Sequence, residues 1–313
     1  MSLNSNFIYN RDANISGSSG SFDYTPVYGS SVEFTARNIE LNMGDFYSMF
    51  QSMGLNNLEA NWSLSYGLLQ DSSARSILYS LESLQGTGVM PYSDPAGFYK
   101  DQSLRITSLE HSFVEPNLNQ VSANFYSDSE SALLNWKTPW MSSGSFLSTW
   151  NDSSVSYKTN NVVYDNQNTD KTTNFFYCIQ DHTSSIAITT SNQTYWSQDF
   201  EWQPDQEISI PNRITSRKVN YRGSVSEQTK VFSRNTQSFQ EIRLVFNNID
   251  DNKAKAILFF LFQHQGYKTF VYRFPKTYKD SKRWRAIRWK HDFVYKNVNN
   301  LEITMREDVG YGC

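Results

Sequence analysis

The chain has 313 residues; 38% are hydrophobic and only 19% charged, yet 15% are aromatic. Its net charge of −3 gives no global nucleic-acid-binding signature, and 21 Phe, 19 Tyr and 8 Trp are too much core material for a disordered chain. The length suits two or three domains, and abundant Tyr, Thr, Ser and Asn point to β structure.

The longest uninterrupted apolar run, Ala256–Phe262, has 7 residues, against roughly 20 for a helix that spans a bilayer. No membrane insertion is expected. Residues 1–6 have neither the basic nor the apolar region of a signal peptide. Cys178 and Cys313 make neither a disulfide framework nor a metal site, so free thiols are expected.

In chain order, residues 1–31 are rich in Ser, Asn and Gly and read as a flexible arm. Residues 32–135 form the first structured unit. Asn61–Leu68 alternates as a strand. Asp71–Gly86 follows as a short helix, with Asp71 as N-cap, Gly86 as the stop, and Ala74, Ile77, Leu78 and Leu81 on one face. Leu104–Phe113 alternates again, Asn117-Leu118-Asn119 reads as a turn, and Val121–Phe125 closes a hairpin.

Residues 145–205 differ in character. Trp150, Val155–Asp165, Asn174–Ser184, Tyr195, Trp196 and Trp202 read as short strands between polar turns, a small aromatic-rich β module. A module this small has little core of its own.

Residues 206–313 then repeat the first unit. Asp71–Gly86 and Asp251–Gly266 match at an offset of 180 through Ala74/Ala254, Ile77/Ile257, Leu78/Leu258, Leu81/Leu261, Gln85/Gln265 and Gly86/Gly266. His111/His291, Phe113/Phe293, Val114/Val294, Asn117/Asn297 and Asn119/Asn299 keep that offset. A register held over about 60 residues indicates internal duplication. The expected fold class is therefore mainly β: two duplicated antiparallel domains, one helix each, flanking the small module.

No pattern for catalysis or for a metal site appears. There is no His-Glu-x-x-His, no Cys/His ligand spacing, no Gly-x-Ser-x-Gly elbow and no phosphate loop. No enzymatic activity and no cofactor are expected. The aromatic set Trp150, Tyr157, Tyr177, Tyr195 and Trp196 has two readings: the module's core and its contacts with neighbours, or a platform of rings stacking on sugar faces, with Asp181 and Asn192 as polar helpers. The region Gln265–Cys313 carries 11 Lys/Arg against 5 Asp/Glu. Its stripe Arg283, Arg285, Arg288 and Lys290 reads as an interface to acidic neighbours in an assembly, or as a solvated strand face.

Two resemblances follow from these residues. Trp150, Tyr157, Asn161-Val162-Val163, Tyr177-Cys178, Asp181-His182-Thr183 and Tyr195-Trp196 resemble, in order, the skeleton of the small chitin-binding-type carbohydrate-binding modules; Asn160-Asn161 stands where Gly-Asp is usual. Phe270–Pro275, Arg283–His291 and Tyr295–Glu307 are similar to the ending of minor tail and distal tail proteins of long-tailed bacteriophages. That likeness covers about 200 residues. It implies tail-tube-like domains, a ring at the virion tail tip joining tail tube to hub proteins, synthesis in the host cytoplasm, and a module that adheres to host surface polysaccharide. Two similar domains per chain then admit a trimer with pseudo-sixfold symmetry, or a hexamer. The alternatives are a free carbohydrate-binding or adhesion protein and a tail-associated hydrolase. No specific nucleic-acid binding is expected.

Overall fold

The computed structural model describes residues 7–8, 21–22, 26, 29–42, 48–52, 58–84, 88–94, 97–99, 102–127, 146–165, 175–210, 216–222, 227–233, 240–275 and 281–308. Most of the arm at 1–31 lies outside them. Within it, β1 (Phe7–Ile8) and β2 (Ser21–Phe22) pair with each other. The first half continues with β3 (Ser31–Ala36), the hairpin β4 (Asn38–Asn42) and β5 (Ser48–Ser52), β6 (Leu58–Leu69), α1 (Asp71–Ser83), β7 (Met90–Tyr92) and the long hairpin β8 (Gln102–Glu115) and β9 (Leu118–Ser127). The middle segment contributes β10 (Leu147–Thr149), β11 (Ser156–Tyr157), β12 (Val162–Tyr164), β13 (Phe175–Cys178), β14 (His182–Thr183) and β15 (Trp196–Ser197). The second half has β16 (Gln206–Ile210), the hairpin β17 (Ser216–Arg222) and β18 (Glu227–Ser233), β19 (Glu241–Ile249), α2 (Asp251–His264), β20 (Phe270–Tyr272) and the long hairpin β21 (Lys282–Tyr295) and β22 (Val298–Glu307).

The chain is thus mainly β, with two helices among the described residues. Its main sheet runs β16-β19-β22-β21-β3-β6-β9-β8-β7, and β20 also pairs with β21. The sequence pattern predicts no strand at Ser31–Ala36 and neither the β4–β5 nor the β17–β18 hairpin. β3 proves central: it pairs antiparallel with β21 on one side and β6 on the other, so the two halves share one sheet.

The long hairpins owe their shape to irregularities at matching places. The β8–β9 register shifts between Ile106 and Ser108 and between Phe113 and Glu115; the β21–β22 register shifts between Ala286 and Arg288 and between Phe293 and Tyr295. Each shift flips the inward/outward alternation by one residue. In β21 this keeps Trp284, Ala286, Trp289, His291 and Phe293 all buried.

Both helices start in the same way. Asn117 and Asn297 occupy hairpin turns with φ of 60° and 59°, and their side chains accept from the backbone N–H groups of Asp71 and Asp251, each at 3.1 Å. Asn119 and Asn299 donate to the Asp71 and Asp251 carboxylates at 2.7 and 2.8 Å. His111 and His291 bond those asparagines' oxygens at 2.8 and 3.0 Å. So Asp71 and Asp251 are not the N-caps. They are the first helical residues, after Gln70 and Asp250, and only Asp250 caps with its side chain, accepting from Asn252 and Lys253. Asn119 and Asn299 lie in strands rather than turns.

The helices then diverge. α1 buries Ala74, Ile77 and Leu81, one face as its spacing predicts. α2 is buried almost all round, including Phe259 and Phe260 opposite the expected face, because the middle module covers it. α2 stops at Gln265 in the left-handed conformation, followed by Gly266 at φ +71°. A Cβ on Gly266 would meet the Ala36 Cβ at 2.2 Å, so only glycine lets β3 approach here. Gly86, the expected stop of α1, lies outside the described residues.

Candidate functional site

The module is a four-stranded sheet, β10-β12-β13-β15, beside the β11–β14 pair. Its strand alternation sorts the aromatic residues into two groups. On β13, Phe176 and Cys178 join Tyr157, Val163 and Trp196 in a core of the module's own. Phe175 and Tyr177 face the other way, onto α2. The Phe175 and Tyr177 rings lie 5.1 and 6.5 Å from Phe259, and Tyr177 also lies 5.4 Å from Phe260. Trp202 packs on Tyr177 and Phe260 at 5.0 and 5.7 Å and donates its indole N–H to Asn160 at 2.8 Å. The module is therefore seated on the helix by a continuous aromatic contact.

This placement corrects the sugar-platform reading for three of its five rings. Trp196 is 1% exposed, and Tyr157 and Tyr177 are buried too. Trp196 stands edge-on to Tyr157 and His182 at 5.0 Å each. Flat stacking on a pyranose needs an open ring face, and these three have none. Trp150 and Tyr195 are half-buried, packed against the module core. Asp181 is exposed, but its acceptors are engaged: the Thr159 backbone N–H at 2.7 Å, the Thr159 hydroxyl at 2.9 Å and the Lys158 ammonium at 3.0 Å. These donors, the Thr159 N–H first, hold its carboxyl down to about 2. Asn192 folds back to accept from the Thr194 N–H at 3.1 Å. Both helpers act as turn staples.

The module core also holds unsatisfied polar atoms. The indole N–H groups of Trp150 and Trp196 and Nε2 of His182 are buried with no hydrogen bond among the described residues. Burial pushes the nearby Cys178 thiol up to about 11, which makes it a structural rather than a reactive thiol. Among the described residues no three His, Cys, Asp or Glu gather as a metal site, and no helix is long and apolar enough to cross a membrane.

The basic stripe finds acidic partners within its own chain. Arg285 pairs with Asp308 at 2.8 Å and Lys290 with Asp292 at 2.8 Å. Arg288 reaches Glu33 of β3 at 3.9 Å, across the joint between the halves. Arg283 is exposed. For three of the four, the expected acidic neighbour belongs to this chain.

That joint combines a strand ladder with a packed aromatic layer. Arg288–Asp292 of β21 lie opposite Thr35–Ser31 of β3, and the ladder runs on through Phe293 N–H to Ser30 O at 2.9 Å and Gly29 N–H to Phe293 O at 2.7 Å. Beneath it Phe34 stacks on Trp289 at 5.7 Å and meets Phe262 edge-on at 5.1 Å. Phe98 lies 4.7 Å from His291, and the Tyr99 hydroxyl bonds His291 Nδ1 at 3.2 Å. Burial holds His291 down to about 4, so this imidazole is neutral at pH 7. The sequence marks His291 and Phe293 only as repeat matches. Their partners Phe34, Phe98 and Tyr99 come from the other half, which no local pattern reveals.

No protein-family model matches the chain, and no curated protein does either.

Proposed function

We propose that the chain is a non-enzymatic structural component of a bacteriophage tail tip, built from two duplicated tail-tube-like domains that form a ring between tail tube and host-recognition hub. One observation carries this reading: two units of the same element order, with the same hydrogen bonds at equivalent helix starts, are joined side to side in one sheet. The joint uses different surfaces of the two units, β21 of one and β3 of the other. Head-to-tail joints of this kind propagate into rings or filaments, never into closed pairs. The preferred assembly is a trimer, six similar units about one axis.

In this reading the module is a fixed ornament on α2. What supports a polysaccharide role is confined to the half-buried Trp150 and Tyr195 at its surface. Light scattering tests the ring: a particle of three times the 36.2 kDa chain mass is expected, and a strict monomer both alone and with its tube partner overturns it. Retention of the protein on a polysaccharide column, lost in Tyr195→Ala, tests the module; no retention of the parent protein removes that role.

A further inference from the structure

Among the described strands, the joint inside the chain has an unfilled counterpart at each end of the sheet. β21 is covered by β3, but its equivalent β8 is paired on its outer side only at Gln102–Leu104, by β7, among the described strands. From Thr107 to Glu115 no described strand lies on that side. At the other end β19 is the one described strand that pairs with β16. β16 holds the place of β3: Ser31 lies opposite Ser63 of β6, Ile208 lies opposite Arg243 of β19, and Ser63 and Arg243 are equivalent positions of the repeat.

The side chains show what is missing. Trp289, His291 and Phe293 are buried beneath the joint, with Phe293 4% exposed. Of their equivalents, Leu109 is partly buried against the core, while His111 and Phe113 form an uncovered patch: His111 is exposed, Phe113 is 79% exposed, and their rings lie 4.5 Å apart. An open strand edge beside exposed aromatic surface is a template for another chain. The intact joint in the same molecule shows which kind of strand fits it.

We infer that the β8 edge from Ser108 to Phe113 receives β16 of a second copy of this chain, in the register of the internal joint. Asp292, His291 and Lys290 lie opposite Ser31, Val32 and Glu33. Shifting both strands to their equivalents sets Ser112 opposite Ile208, His111 opposite Ser209 and Glu110 opposite Ile210 of the neighbour. The contact continues the sheet from chain to chain and covers the patch. The inference rests on the ring reading for its closure, but it names an interface that can be wrong while the ring is right.

Paired cysteines test the register, because directly opposite residues on antiparallel strands lie within disulfide reach. In a Cys313→Ser background, Ser31→Cys with Asp292→Cys is the control and should close a disulfide within one chain. Ser112→Cys with Ile208→Cys should close between chains and, on oxidation, give covalent species ending at a closed trimer. A trimeric particle in which the second cysteine pair stays reduced overturns this edge and leaves the ring. A bonded ladder growing beyond the hexamer supports the edge and overturns the ring. Monomers without any bond overturn both. Phe113→Asp supplies a check independent of cysteine: it should weaken assembly at least tenfold while the monomer keeps its melting temperature, and unchanged assembly overturns the proposal.

Discussion

The two halves of this chain fold to one plan and differ in what covers them. In the second half, α2 lies under the module and β21 lies against β3; Phe259 and Phe293 are 2% and 4% exposed. In the first half the equivalent Tyr79 and Phe113 are 76% and 79% exposed. α1 has adapted to the open side with serines. Ser76, Ser80 and Ser83 turn back to carbonyls one turn earlier at 3.0, 2.8 and 2.7 Å, a pattern that suits a solvated helix face. β8 has not adapted in this way, and it keeps its aromatic patch. The two halves thus share their element order and helix starts, while their surfaces differ with what lies against them.

Substitutions at equivalent positions sharpen this contrast. The largest effect is expected at Trp289, whose replacement by Ala empties the joint and should cost about 3–5 kcal/mol. Leu109→Ala, its partly buried equivalent, should cost less, about 1–2 kcal/mol in the monomer; urea unfolding of both compares them, and equal losses would break the distinction. Gly266→Ala comes next. It combines a left-handed backbone with a contact against Ala36, and a loss of about 2–4 kcal/mol is expected. Read by thermal unfolding, an unchanged midpoint would show that β3 does not press on the α2 terminus.

Acid should act on the covered half. Burial holds His291 and His264 each down to about 4. The unfolded chain binds these protons from about pH 6.5, so stability is full above that value and falls as pH drops from about 6.5 to 4. Each histidine contributes up to about 3 kcal/mol to this fall. His291→Gln should flatten the stability–pH profile in that window; a profile identical to that of the parent protein would refute the effect of its burial. Smallest is Phe113→Ser, expected within about 0.5 kcal/mol of the parent monomer in denaturant titration.

How much of this is legible in the sequence differs by element. The strands β6, β8, β9, β21 and β22 alternate over many residues, and the helix period at Ala254, Ile257, Leu258 and Leu261 is clear. β8 runs from Gln102 to Glu115, beyond both ends predicted for it, and the bulges inside the long strands, at Ile106–Ser108 and Ala286–Arg288, break the alternation without ending the strand. β3 escapes a sequence reading: its short span gives a weak signal, and its role depends on β21, in the other half of the chain. The module's aromatics admit a platform reading because ring exposure is decided by what lies opposite. One local signal does exist. Phe175-Phe176-Tyr177-Cys178 is apolar without alternation, the mark of a strand covered on both faces.

The joint between β21 and β3 also sets how assembly responds to protein supply. It forms at chain folding, at the effective concentration of two tethered surfaces rather than that of free subunits. In a six-unit ring of such chains, three of the six joints are already made. Ring abundance then rises with the third power of chain concentration instead of the sixth.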